Sequence, residues 1–240
     1  MSTVLQETSP AASTVPAFCG ACIHLDQCQA EHMGVTCAVE RRGPCRQGDH
    51  LYRPETRFSG AYAVQAGMAK TVRRDSKGNE QVLAFHLPGE LFGLDARGQR
   101  QHSNAAVALG HTWFCHFPET KLSKLESEDE NVRKQLSRMT RRLRQSYRVR
   151  SAEGRADQRL AAFILDLCDR RAAVGLRADR LPMLMSRIDI ASFLDMAVET
   201  ISRLLGKLQK AGLIKVGPNQ VDIINEAGLR TLAAPLLGNL

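Results

Sequence analysis

No uncharged apolar run in this 240-residue chain approaches the ~20 residues that a membrane-spanning helix needs. The first stretch, Met1 to Ala17, has no basic start followed by an apolar core, as an export signal would; it is polar and rich in alanine, serine and threonine. The expectation is therefore a cytoplasmic protein with no membrane partner. Compositional extremes are missing too. With 43% hydrophobic and 24% charged residues the chain fits neither a disordered nor a fibrous class, and its length suits two modest domains. Seven cysteines in a reducing compartment do not suggest a disulfide framework, so their grouping points to metal, cluster or redox chemistry.

The net charge of +8 suits a polyanionic partner, but residues 131–160, with ten arginines and lysines against Glu153 and Asp157, account for all of it. A basic run on a long helix is ordinarily a solvated face, so charge alone does not identify DNA.

Residues 1–17 read as a flexible tail and 18–45 as a cysteine-bearing segment without helical or strand period. From Gly48 to Pro118 short apolar runs are punctuated by glycine: Ala61 to Val64, Met68 to Val72, Gln81 to Leu87 and Ala105 to Leu109. Asp75 to Asn79 forms a hairpin tip and Pro88 to Leu91 a loop, which together predict an antiparallel β-roll or jelly roll. From residue 121 the period turns helical, and Val132, Leu136, Met139 and Leu143 make a coiled-coil-like dimerisation seam. A further helix from Asp157 to about Ala173 buries Leu160, Phe163, Ile164 and Leu167. Two strands near Ile214–Val216 and Gln220–Ile224, joined at Gly217, and a closing helix from Glu226 follow the next motif.

That motif runs from Arg187 to Leu194, turns at Asp195 to Ala197, and resumes from Val198 to Leu205, the layout of a helix-turn-helix. Ile190, Leu194, Val198, Ile201 and Leu205 lock the two helices, while Glu199, Ser202 and Arg203 share the opposite face, suited to a major groove of double-stranded DNA. Glutamate accepts from cytosine N4, arginine bonds guanine O6 and N7, and serine contacts bases or phosphate.

A second constellation is Cys19, Cys22 and Cys28, with Cys115 far along the chain in an aromatic, strand-like context. Three thiolates from a loop and one from the scaffold suit a cubane iron-sulfur cluster, and by residue type alone they suit zinc equally. Cys168 reads as a small core residue; Cys37 and Cys45 stand open as substitute ligands or redox partners.

The run Val198 to Gly206 followed by Leu208 to Ile214 resembles the recognition helix and wing entry of the FNR branch of the CRP/FNR family, the fumarate and nitrate reduction regulators. The likeness extends through Gly60 to Gly67, Phe85 to Leu91 and Arg159 to Ile164. It implies an α+β chain in four parts: a tail (1–17), a cysteine loop with a cyclic-nucleotide-binding-like β-roll (18–120), a long dimerisation helix (121–156) and a winged helix-turn-helix (157–240). By resemblance, Cys19, Cys22, Cys28 and Cys115 hold a 4Fe-4S cluster that favours the homodimer, and Glu199, Ser202 and Arg203 read a TTGAT, four-base spacer, ATCAA palindrome. It also implies contact with RNA polymerase, oxygen sensing, and no enzyme activity. Departures are Asp195 where the family has glycine, and a shortened connection between Val35 and Gly48.

Rival readings find little support. A cyclic nucleotide needs an acidic residue and a contiguous Arg-Ser or Arg-Thr pair, and here Arg100 and Ser103 are separated. Haem ligation by His24, His86 or His116 has no motif behind it, and Cys19 to Cys22 lacks the βαβ pattern of a thiol oxidoreductase.

Overall fold

A computed structural model describes residues 39–75, 78–128, 130, 133–134 and 154–237. The first half is a β-roll of eight strands: β1 (Glu40–Cys45), β2 (His50–Tyr52), β3 (Gly60–Ala66), β4 (Ala69–Arg74), β5 (Glu80–His86), β6 (Leu91–Phe92), β7 (Ala105–Ala108) and β8 (Thr112–Pro118). They form two four-stranded antiparallel sheets, ordered β1-β8-β3-β6 and β2-β7-β4-β5. Alternation sends Tyr62 and Val64 of β3 and Phe114 of β8 inward, where they meet Tyr52, Phe92 and the small Ala69, Ala106 and Ala108. Gly60 begins β3 at φ 144°, and a Cβ there would stand 1.9 Å from the Phe117 carbonyl oxygen, so only glycine admits this close approach.

Helix α1 (Glu119–Glu128) leaves β8 and lies against β3 and β8; it starts two residues before the helical period becomes visible. The expected seam of Val132, Leu136, Met139 and Leu143, and the cysteines 19, 22, 28 and 37, lie outside the described residues. The second half holds α2 (Ala156–Ala173), β9 (Arg180–Pro182), α3 (Arg187–Leu194), α4 (Val198–Lys210), β10 (Ile214–Val216), β11 (Gln220–Ile223) and α5 (Glu226–Leu237).

Three details differ from expectation. Glu40–Cys45, read as part of an aperiodic segment, is an edge strand whose Arg41 to Pro44 are exposed, so no alternation marks it. Leu91, placed in a loop, starts the two-residue β6. The wing has a third strand, β9, whose Arg-Leu-Pro sequence is too short to show a period; it pairs with β11 through Leu181 and Val221.

One hydrophobic cluster runs from Val72, Val82 and Phe85 of the roll through Leu160, Phe163 and Ile164 of α2 to Ile190, Leu194, Ile201 and Leu205 of the helix-turn-helix. The two halves therefore share a core.

Candidate DNA-reading surface and thiol site

The reading surface is built from local rules. Ser186 caps α3 by accepting from the Asp189 amide at 3.1 Å, and the Asp189 carboxylate accepts in return from the Ser186 amide at 2.9 Å, a reciprocal capping box. Helix α3 ends at Asp195 in the left-handed region, φ 51° and ψ 57°, with its amide donating to Ala191. Aspartate tolerates that conformation at modest cost, so the departure from glycine leaves the turn intact.

In α4 the side chains of Ile201, Leu204, Leu205 and Leu208 are buried, and Glu199, Ser202 and Arg203 are exposed on the other side. The Ser202 hydroxyl donates to the Val198 carbonyl at 3.2 Å and keeps its lone pairs available. Lys210 and Lys215 are also exposed on this half of the molecule.

Two clamps, not legible from the sequence, hold the helix pair. Lys207 of α4 donates to Asp157 of α2 at 2.8 Å, and Arg155 donates to the same carboxylate at 2.8 Å. The Lys207 hydrogen bond outweighs the cost of burial and, with Arg155, holds the Asp157 carboxyl down to about 2. The Arg159 guanidinium donates to the Leu194 carbonyl and ties α2 to the end of α3. A long sequence separation hides both contacts: Lys207 lies 50 positions from Asp157 and Leu194 lies 35 from Arg159.

The thiol site lies on the sheet β1-β8-β3-β6. Cys115 pairs with Ala63 on one side and Arg41 on the other, while Phe114 and His116, its neighbours along β8, pair with Val64 and Tyr62, residues of the inward face. Cys115 thus stands on the outward face and is nevertheless only 8% exposed. Arg41, on the same face, stacks over Trp113 at 4.0 Å from the ring centre. Cys45 pairs with Thr112 and packs against the inward aromatic cluster, the opposite face from Cys115. Burial, with Asp49 nearby, pushes its thiol up. Cys45 and Cys115 therefore stand on opposite faces of one sheet. Cys168 is buried in the core, and burial pushes its thiol up to about 12. Among the described residues no three Cys, His, Asp or Glu side chains converge on a metal-sized site.

Residues 158–232 match the Crp-like helix-turn-helix domain and residues 44–129 the Cyclic nucleotide-binding domain. The chain is 35% identical over 198 residues to the fumarate and nitrate reduction regulatory protein of Escherichia coli, covering 81% of this chain and 79% of that one. To the transcriptional regulatory protein btr of Bordetella pertussis it is 34% identical over 197 residues, 81% of each chain. The chain belongs to the CRP/FNR family. Among solved structures FixK2 from Bradyrhizobium japonicum superposes with a TM-score of 0.73 at 27% identity, covering 81% of this chain and 96% of that one. As a CRP/FNR member it is a DNA-binding transcription regulator, in a family of regulators and not of enzymes.

Packed side chains occupy part of the interior of the matched cyclic-nucleotide-binding fold. Gly93 abuts the Tyr62 and Tyr52 rings, Leu94 and Ala96 are buried, and His102 stacks on Tyr52 at 3.7 Å between ring centres. Asp95 accepts from Asn104 at 3.0 Å, Arg97 of the same loop donates to Glu126 of α1, and Arg100 is exposed. His86 is equally committed: its Nε2 bonds the Thr71 hydroxyl at 2.7 Å, its ring stacks on Phe92, and burial, with Arg170 nearby, pushes its imidazole down to about 3. His116 is buried against Tyr62, and His24 lies outside the described residues.

Proposed function

We propose that this CRP/FNR regulator senses oxygen through a 4Fe-4S cluster on Cys19, Cys22, Cys28 and Cys115, and in the loaded state binds DNA as a homodimer. The observation that most supports this reading is the position of Cys115. Its thiol stands on an outward sheet face, next in register to the His116–Glu40 pair, where the chain descending from the cysteine segment joins the roll. At ~3.5 Å per residue the chain from Cys28 to Glu40 reaches about 40 Å, ample to return a loop of thiols to that face. Soft thiolates suit iron and sulfide, and the family likeness favours this over zinc. When bound, the cluster supplies an oxygen-labile link between the cysteine segment and β8.

The remaining chemistry belongs to the chain. Val132, Leu136, Met139 and Leu143 form the dimer seam, and the loaded state must favour the paired form over the monomer for the switch to work. Two copies of α4 then enter successive major grooves: Arg203 bonds guanine O6 and N7, Glu199 accepts from cytosine N4, and Ser202 contacts base or phosphate. The site read is a TTGAT, four-base spacer, ATCAA palindrome, and the relatives named for fumarate and nitrate reduction support anaerobic gene activation, through RNA polymerase in the cytoplasm, as the output.

The deciding experiment is iron and acid-labile sulfide content, with the visible spectrum, of protein purified without oxygen. Roughly four iron per chain, the complement of a cubane cluster, and a broad absorption that bleaches in air and is absent from Cys115→Ala support the reading. Zinc, or no metal, overturns the cluster and leaves a DNA-binding regulator with another signal.

A further inference from the structure

Helix α3 does not float above the β-roll; it is seated on the β4-β5 hairpin by directional contacts. Lys70 of β4 reaches Asp189 of α3 at 2.6 Å, with both side chains largely buried at 15% and 11% exposure. The same carboxylate is already shaped by Ser186, whose amide and hydroxyl donate to its other oxygen at 2.9 and 2.8 Å. One turn on, the Ser192 hydroxyl accepts from the Val82 amide at 2.9 Å and donates to the Glu80 carbonyl at 3.2 Å, so it inserts into the β5 backbone. Beneath these, Phe85 of β5 meets Phe193 of α3 and Phe163 of α2 at 5.3 and 5.8 Å between ring centres. Arg170 of α2 closes the far side with a forked pair to Glu90 at 2.8 and 2.6 Å and a bond to the Phe85 carbonyl at 2.6 Å.

The two kinds of contact do different things. The aromatic trio supplies area, which is non-directional and tolerates sliding. A largely buried Lys-Asp pair adds little net stability, because desolvation offsets the attraction, but its geometry is narrow. Helices α3 and α4 are locked to each other by Ile190, Leu194, Ile201 and Leu205 across the Asp195 turn. Whatever orients α3 on the roll therefore orients Glu199, Ser202 and Arg203.

We infer that Lys70 and Ser192 are positioning residues for DNA reading: they set the bearing of α4 against the β-roll, and thereby the half-site spacing that the paired molecule accepts. The inference rests on the dimer proposed above. Neither residue touches DNA; both act through α3.

The test is selection of sites from a randomised duplex pool by full-length protein purified without oxygen, comparing wild type with Lys70→Met, Lys70→Arg and the double variant Lys70→Met, Ser192→Ala. Melting temperatures are taken in parallel, and Lys70→Met serves alone if the double variant does not fold. The expected result is one half-site sequence throughout, with wild type and Lys70→Arg preferring a single spacing by about tenfold and Lys70→Met accepting spacings one base longer or shorter within about threefold. Folded Lys70→Met and double variants that keep the wild-type spacing preference overturn the inference. Wild type that selects isolated half-sites overturns the dimer reading, a failure visible before any variant is compared.

Discussion

The reading surface and the thiol face solve opposite problems. The helix-turn-helix carries its own determinants within a short stretch: a capping box, a left-handed turn residue, buried Ile201 and Leu205 and exposed Glu199 and Arg203. The proposed cluster site takes one residue, Cys115, from strand β8 and its other three from a segment far along the chain. A surface whose shape follows local rules is legible from a short stretch, even where distant contacts set its bearing; a ligand set made by long-range closure depends on whatever closes it.

The comparison breaks most visibly in the core of the reading surface. Leu205→Ala removes a buried side chain and is expected to cost about 2–5 kcal/mol, lowering the melting temperature and DNA binding together while leaving iron content unchanged in whatever fraction stays folded. Arg203→Ala, by contrast, should leave melting unchanged and weaken binding to the selected site by about 1–3 kcal/mol, with preference relaxed at one base position, as fluorescence anisotropy on substituted duplexes would show. If Arg203→Ala instead weakened all duplexes equally, its contact would be to phosphate.

On the thiol side, Cys45→Ser should retain the wild-type iron and sulfide content, because Cys45 and Cys115 occupy opposite faces of one sheet. Loss of iron in that variant would place Cys45 among the ligands after all.

Asp157 offers a finer cut. Its carboxyl is held down to about 2 from an ordinary 3.8, so its stabilising effect is complete above the ordinary value and is lost as pH falls from about 4 towards 2. Arg155 and Lys207 are solvent-exposed, which screens the pair to on the order of 1 kcal/mol. Asp157→Asn should melt lower than wild type at neutral pH and converge with it near pH 2, measured by thermal denaturation across pH. The smallest effect is Asp195→Gly, expected to raise stability by at most ~1 kcal/mol through relief of the left-handed backbone, with unchanged base preference.

Among the elements, those with a strong period or a turn signal were legible: α2, α3, α4, β3, β4, β5 and the Asp195 turn all fall where periodicity, capping and turn chemistry place them. Strand β1 was not, because an exposed edge strand of Glu-Arg-Arg-Gly-Pro-Cys alternates nothing. Strand β9 was not, because three residues carry no period. The clamps of Asp157 on Lys207 and of Lys70 on Asp189 join residues 50 and 119 positions apart, and nothing local in a charged residue tells which distant partner it will meet.

The amino-acid order alone determined the helix-turn-helix and the shared exposed face of Glu199, Ser202 and Arg203, because those follow from spacing at 3.6 residues per turn. Only the tertiary structure decided that Cys115 and Cys45 face opposite sides of one sheet, that His102 stacks on Tyr52 inside the roll, and that α3 is seated on the β4-β5 hairpin. Strand register and interdomain packing are settled by the summed burial of many distant side chains, a quantity that no short stretch of sequence contains.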